Sequence, residues 1–206
     1  MMPSSPNPLL QTVRVLTDVL DATDPYGQGR SERMARWSLA VARALGVPES
    51  EATTIELGAR LHDLGRHALL NDVVRTPGAL APSERALVQT HPGVGADLLH
   101  GIAGLEGAAD IVHAHHERPD GRGYPRGLVG EAIPMGARIV MVCAAYDAMI
   151  EDRPYRRGLP PAAACEELQR HRGTQFFPEV VDAFVALLAS GALDDPATGD
   201  TERHAA

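Results

Sequence analysis

The stretch ARIVMVCAAYDAMI, residues 137–150, decides the fold class of this chain. Its apolar side chains recur at the spacing of an α-helix, and Pro134 precedes it, where the start of a helix tolerates proline. The uninterrupted apolar run, residues 139–146, is far shorter than the roughly 20 residues needed to cross a bilayer. The stretch therefore predicts a buried helix of a protein core and not a membrane span.

The same helical spacing recurs along most of the chain, and no segment alternates with the period of two that is typical of strands. Further segments with helical spacing are residues 9–20, 34–45, 55–64, 85–89, 94–99, 108–116, 162–168 and 180–188. We therefore predict an all-α fold, a compact bundle of many helices. Its folded domain is expected over residues 9–190, with a disordered N-terminus at 1–8 and a flexible C-terminal tail at 191–206.

The composition excludes some classes of partner. The chain has 206 residues, of which 44% are hydrophobic, and its formal net charge is −8. A chain this acidic lacks the general positive field that attracts DNA or RNA. Its N-terminus shows no secretory signal pattern, and Cys143 and Cys165 both lie in apolar helical patterns, which is typical of reduced, buried thiols. We therefore predict a cytoplasmic protein with no polymeric nucleic acid and no membrane as partner.

Five side chains have the pattern of metal ligands: the adjacent pair His62 and Asp63, then His91, and then the adjacent pair His115 and His116. Neighbouring residues on a helix point about 100° apart, so His62 and Asp63 are poorly placed to chelate one ion. A carboxylate can instead bridge two ions that lie side by side. Imidazoles with a carboxylate suit Fe, Mn or Zn, and the absence of thiolate ligands argues against a structural zinc site.

A long segment rich in glycine and arginine, ERPDGRGYPRGLVGEAIP, covers residues 117–134. It cannot form a helix because glycine and proline recur throughout it, and it is longer than a typical connection between helices. Such loops commonly carry function.

Four strings in this sequence resemble the HD-GYP domains, a branch of the HD superfamily of metal-dependent phosphohydrolases. The strings are HDLG at 62–65, HPGVG at 91–95, HHERPDGRGYP at 115–125 and DRPYR at 152–156, and the resemblance covers about residues 26–184. It implies an all-helical fold with a centre of two or three divalent metal ions. It further implies hydrolysis of cyclic di-GMP to linear products, or cleavage of cyclic GMP-AMP as in related members.

The resemblance also assigns roles to residues of this sequence. As metal ligands, Asp63 would bridge, His62 would serve one ion, and His91, His115 and His116 would serve the other. Asp63 and Arg66 are the catalytic candidates, Arg66 standing where the family has lysine. The candidates for substrate binding are Arg118, Gly123, Tyr124, Pro125, Arg153 and Arg156, in arginine-rich stretches whose positive charge suits a dianionic dinucleotide. The GYP segment also implies a GGDEF-type or response-regulator protein as a possible partner.

The sequence departs from the family pattern at two ligand positions. Arg30 stands where the family has a histidine, and Ala144 stands where it has an aspartate. Both changes remove ligands from the ion that His62 would hold, so we expect fewer ions than the family's two or three. Together they make the local charge more positive by about the charge of one divalent ion. We therefore hypothesise that the Arg30 guanidinium forks onto Asp63 and stands in for that ion.

Two functions remain open at this point. The first is a metal-dependent phosphodiesterase acting on cyclic di-GMP or a related cyclic dinucleotide, slowed by the replaced ligands. The second is a catalytically inactive HD-GYP module that binds a nucleotide or a signalling partner such as a GGDEF domain.

Overall fold

The computed structural model describes residues 7–23, 28–69, 81–152 and 157–193. These residues form ten α-helices and no strand: α1 (Pro8–Thr23), α2 (Arg30–Ala44), α3 (Glu49–Leu61), α4 (Leu64–Ala68), α5 (Pro82–Val88), α6 (His91–Leu99), α7 (Glu106–Ala114), α8 (Met135–Ile150), α9 (Pro161–Arg170) and α10 (Pro178–Ala189). The predicted all-α class is confirmed. No helix in these ranges is both long enough and apolar enough to cross a membrane.

The helices end where the candidate ligands begin. The predicted helix over residues 55–64 is interrupted at 62–63, and the one over residues 108–116 ends at Ala114. Periodicity did not show these breaks, because the apolar spacing continues across each turn. Four of the five candidate ligands consequently lie in turns just beyond the ends of α3 and α7, and the fifth begins α6.

The main core surrounds α8, which is buried along most of its length and packs against α2, α3, α7, α9 and α10. At its centre the rings of Trp37, Tyr146 and Phe184 contact one another edge to face, with centroids 5.0–5.9 Å apart. Cys143 is buried in this core, whereas Cys165 is only half-buried, so the prediction of two buried thiols is wrong for Cys165. Neither cysteine forms a disulfide.

A second, smaller core joins α1, α3, α6 and α7. Its buried members are Val13, Leu57, Leu61, Ala96, Leu99, Leu105, Ala108, Ala109 and Val112. The turn after α3 and the turn after α7 therefore lie side by side, because α3 and α7 pack in the same direction, with Gly107 next to Thr54 and Ile111 next to Gly58. This packing brings together candidate ligands that are far apart in the sequence.

A contact between backbones fixes α4 against α6. A Cβ atom placed on Gly65 would lie 2.0 Å from the carbonyl oxygen of His91, and one placed on Gly95 would lie 2.9 Å from Val112. Only glycine allows this approach, because real Cβ contacts are never so short. The turn that carries Asp63 is thereby held next to His91.

Candidate metal centre

Three histidines form a compact cluster where α6 begins and α7 ends. The side chains of His91, His115 and His116 each offer a ligand atom, and these atoms lie within 4.8 Å of one another. His91 and His115 are each 1% exposed, and their Nε2 atoms are 3.3 Å apart. The structure thus brings together the three histidines that the sequence assigns to one ion.

The orientation of the rings is set by the backbone. In each of three candidate ligands the Nδ1 atom lies within hydrogen-bond distance of the carbonyl oxygen three residues earlier: His62 to Ala59 at 2.8 Å, His91 to Val88 at 2.7 Å and His115 to Val112 at 2.6 Å. A carbonyl oxygen only accepts, so Nδ1 carries the proton and Nε2 of the neutral ring presents a lone pair. Metal-binding histidines typically donate in this way from the nitrogen that does not bind the ion.

Burial keeps these rings neutral. Burial lowers the pKa of His115 well below its usual value and that of His116 to about 3, helped in both by neighbouring histidines. Burial also lowers the pKa of His91, against the opposing effect of Asp63. At neutral pH the Nε2 atoms of His91 and His115 therefore face each other as two lone pairs. A divalent cation between them satisfies both, so the donor set fits a metal ion.

Asp63 divides its two carboxylate oxygens between two environments. Its Oδ1 atom lies 3.5 Å from Nε2 of His91, on the side of the histidine cluster. Its Oδ2 atom lies 3.4 Å from Nε2 of His62, 3.1 Å from Nη1 of Arg66 and 3.6 Å from Nη2 of Arg30. Burial raises the pKa of Asp63, but Arg66, His62 and Arg30 outweigh that effect and hold it well below its usual value. The carboxylate is ionised and can face cations on both sides.

Arg30 points into the site and not into solvent. Its side chain is 13% exposed, and besides Asp63 it approaches two further carboxylates, with Nε 3.3 Å from Oδ2 of Asp147 and Nη1 3.8 Å from Oε2 of Glu151. The ion pair with Asp63, at 3.6 Å from Nη2 to Oδ2, is longer than a hydrogen bond, so it is not the two-point fork that the sequence led us to expect. Asp147 takes the Nε side of the guanidinium instead.

Asp147, which is fully buried, lies between two arginines. Arg33 contacts its Oδ1 atom at 2.6 Å from Nη2, while Arg30 lies beside its Oδ2 atom. Ala144, one helical turn earlier on α8, supplies no ligand atom. Sequence reasoning missed Arg33, whose place at helical spacing from Arg30 was the available signal.

The loop over residues 117–134 contains an isolated antiparallel bridge between Asp120 and Val129 and a short 3-10 turn at Gly130–Ala132, and is otherwise irregular. The carboxylate of Glu117, which is 1% exposed, accepts hydrogen bonds from the backbone N–H groups of Arg126 at 2.7 Å and Leu128 at 2.9 Å. Glu117 thus folds the loop back onto the end of α7. Glu117 belongs to the string HHERPDGRGYP that carries the family resemblance, but the sequence analysis assigned it no role.

This folding places the GYP segment against the cluster. The ring of Tyr124 stacks on that of His116, with centroids 4.7 Å apart and planes inclined by 19°, and Pro125 follows it. Burial raises the pKa of Tyr124 to about 12. A Cβ atom on Gly123 would lie 2.4 Å from the backbone nitrogen of Arg118, so the close approach of the loop to the turn after α7 requires glycine there.

Of the arginines predicted to bind substrate, Arg118 lies in the described residues, and an acid already pairs with it. Arg118 forms a two-point ion pair with Asp120, Nε to Oδ1 at 2.9 Å and Nη2 to Oδ2 at 2.6 Å, which offsets the charge that a phosphate would need. Arg153 and Arg156 lie outside the described residues. Substrate binding by these three arginines, and by Gly123, Tyr124 and Pro125, stays a prediction.

Comparison with known proteins agrees with this geometry. Residues 14–180 match the family described as HD domain. The chain is 40% identical over 177 residues to the cyclic di-GMP phosphodiesterase response regulator RpfG of Xanthomonas campestris, which covers 85% of this chain and 47% of that protein. It is 33% identical over 161 residues to the 3'3'-cGAMP-specific phosphodiesterase 3 of Vibrio cholerae, over 78% of this chain and 35% of that one. The chain thus spans about half the length, or less, of these curated relatives.

The fold is also shared with a solved structure. The crystal structure of a cyclic GMP-AMP specific phosphodiesterase of V. cholerae superposes with a TM-score of 0.70 at 21% sequence identity, covering 92% of this chain and 52% of that one. At this identity the likeness concerns the arrangement of helices.

Proposed function

This chain belongs to the HD domain family, in its HD-GYP branch, and from that premise we propose that it is a metal-dependent phosphodiesterase of cyclic di-GMP or a related cyclic dinucleotide. The observation that carries the proposal is the group of three buried histidines whose Nε2 lone pairs converge beside the ionised Asp63. The similarity to a cyclic di-GMP phosphodiesterase and to a cGAMP-specific one supports the substrate class.

The residues of the site have separate expected roles. His91, His115, His116 and Oδ1 of Asp63 would hold one divalent ion, and a bound ion supplies Lewis acidity and lowers the pKa of water that it coordinates. The carbonyl contacts at Nδ1 fix the histidine rings, so little reorganisation is needed on binding. Arg66, about one-third exposed beside Asp63, is placed to hold a phosphate oxygen by its charge.

The reaction is expected to be slow. Charge stabilisation by a metal ion is worth several kcal/mol, so a centre with one ion fewer loses about three decades in rate. Fe, Mn and Zn all fit the donor types, and the metal remains part of the proposal.

The test is product formation from cyclic di-GMP and, separately, from 3'3'-cGAMP. Protein prepared without oxygen is supplied with Mn²⁺ or Fe²⁺ and compared with Asp63→Asn, which keeps the shape of the side chain but removes its charge. Linear product from the unaltered chain that disappears with Asp63→Asn supports the proposal. No product from either dinucleotide with either metal contradicts it.

A second candidate function is a binding module that does not hydrolyse its ligand. The observation in its favour is that Arg30 and Ala144 leave the Oδ2 side of Asp63 with one histidine as its neutral donor among the described residues. Equilibrium dialysis distinguishes the two functions, because a module retains intact cyclic di-GMP whereas an enzyme returns product. For the binding module we also propose a GGDEF-type or response-regulator protein as its partner. For either function we propose a cytoplasmic location, since neither cysteine forms a disulfide.

A further inference from the structure

We propose that the guanidinium of Arg30 permanently occupies the second cation position of this centre, so that the chain binds one divalent ion and carries the other positive charge covalently. The inference deepens the proposed function and rests on it for the presence of a metal ion. It does not depend on turnover.

The two sides of Asp63 have different neighbours. On the Oδ1 side the neighbours are neutral imidazoles with lone pairs, which call for a cation from solution. On the Oδ2 side the neighbours are two guanidinium groups and one imidazole. A single carboxylate therefore faces one site without a built-in cation and one site that already contains two.

Three acidic side chains surround Arg30. Three carboxylates, those of Asp63, Asp147 and Glu151, lie within 3.8 Å of its nitrogens, and their side chains are 19%, 1% and 14% exposed. Acids buried to this degree need a positive partner, because an uncompensated buried charge is costly. Arg66 also pairs with Asp63, and Arg33 pairs with Oδ1 of Asp147, while Arg30 approaches all three carboxylates. Without Arg30, the same acids would form a site that attracts a divalent ion.

Arg30 is the first residue of α2, and the start of this helix is anchored to its neighbours. The carboxylate of Asp21 on α1 accepts hydrogen bonds from the backbone N–H and from the hydroxyl of Ser31, both at 2.8 Å, which anchors the start of α2. Arg33, one turn later, ties α2 to α8 through Asp147. A second divalent ion would therefore have to displace an anchored guanidinium while it is repelled by Arg66.

The inference is tested by counting ions with Mn²⁺ alone as the probe. The unaltered chain, Arg30→His and Arg36→His are saturated with Mn²⁺, desalted and analysed by elemental mass spectrometry. Arg36→His is the matched control, since Arg36 lies on the exposed side of the same helix. We expect one ion per chain in the unaltered protein and in Arg36→His, and two in Arg30→His, because a lost cation and a gained imidazole both favour a second ion.

Electron paramagnetic resonance gives a second readout. Two Mn²⁺ ions about 3.5–4 Å apart couple to each other and lose the six-line spectrum of an isolated ion. We expect six lines from the unaltered chain and a coupled spectrum from Arg30→His. Arg30→Ala, which removes the charge without adding a ligand, provides the same test with weaker binding if Arg30→His does not fold by circular dichroism.

Two results overturn the inference: two ions or a coupled spectrum in the unaltered chain, or a single ion in both Arg30 variants. These outcomes are separate from those of the activity test. One ion in the unaltered chain, two in Arg30→His and no product would refute hydrolysis but leave the inference standing. Product formation with two ions in the unaltered chain would do the reverse.

Discussion

The two sides of Asp63 are built from different materials. On one side, the histidine cluster of His91, His115 and His116 is buried, neutral and oriented by backbone carbonyls, and it has no positive charge of its own. On the other side, the arginine pocket around Arg30 and Arg66 is rich in charges that balance one another. The cluster is organised to receive a cation, whereas the pocket is already electrically complete. The same bridging geometry can thus serve two ions, or one ion and a side chain.

The largest expected effect comes from removing a donor of the histidine cluster. His115→Gln takes away a buried Nε2 lone pair at the centre of the cluster, so we expect loss of the bound ion and a fall of about three decades in the turnover of cyclic di-GMP. Turnover and metal content are measured together. His113→Gln, in the last turn of α7 but outside the cluster, is the control and is expected to change neither. Unchanged metal content in His115→Gln would show that the cluster is not the metal site.

The next effect converts the arginine pocket into a second metal site. The double variant Arg30→His with Ala144→Asp restores both ligand types that the family has at these positions. We expect turnover of cyclic di-GMP to rise by roughly tenfold to hundredfold, since a second ion stabilises the charge that develops at phosphorus. Arg36→His with Ala144→Asn is the matched control. If metal content rises without any gain in turnover, the pocket beyond the metals, and not the missing ligands, limits the reaction.

A smaller effect is expected when α4, which follows Asp63, is pushed away from α6, which begins with His91. Gly65→Ala places a Cβ atom 2.0 Å from the carbonyl oxygen of His91, so α4 must move away from α6. Overpacking of this kind costs about 1–3 kcal/mol or more in the free energy of unfolding, measured by urea denaturation. Gly93→Ala is the control, because the nearest atom to its Cβ is 4.0 Å away and alanine favours a helix. Equal stability of the two variants would show that the contact at Gly65 relaxes freely.

The effect that is smallest near neutral pH, and that grows only in acid, is the dependence of stability on pH in protein stripped of metal. The pKa of His116 is about 3 in the folded chain against an ordinary value of 6.5, so below about pH 6.5 the unfolded chain binds a proton that the folded chain does not. Stability is therefore greatest above pH 6.5 and declines toward pH 3, by at most about 1.4 kcal/mol per pH unit for this group. Urea denaturation of the unaltered chain and of His116→Gln at several pH values measures this slope. If the stability of the two proteins declines equally with falling pH, His116 is not the cause of the decline.

The sequence predicted the fold class and the location of the candidate ligands because both depend on local pattern. Helical spacing identified the helices, and the unusual strings identified His62, Asp63, His91, His115 and His116. The turns that break the helices at 62–63 and after Ala114 were missed, since they are imposed by the packing of α3, α4 and α7 and not by breaking residues.

Contacts between distant residues could not be predicted in the same way. The pairing of Arg33 with Asp147 joins two residues of different helices that are 114 positions apart in the chain. The role of Glu117 depends on a loop that returns 9 and 11 residues later to its carboxylate. Arg118 and Asp120 are close in the sequence, but the sequence does not reveal whether Arg118 pairs with this acid or is left to bind a phosphate. That depends on the geometry of the loop.

The position of the chain's single tryptophan gives the molecule an optical reporter. Trp37 is 1% exposed in the core, and the guanidinium of Arg33, which also holds Asp147, lies 5.8 Å from its ring centroid. Fluorescence excited in that indole therefore comes from a ring that contacts Arg33, whose ion-pair partner Asp147 also contacts Arg30 of the arginine pocket. Events at the pocket can be followed by light emission in real time, in the unaltered chain and without an attached dye.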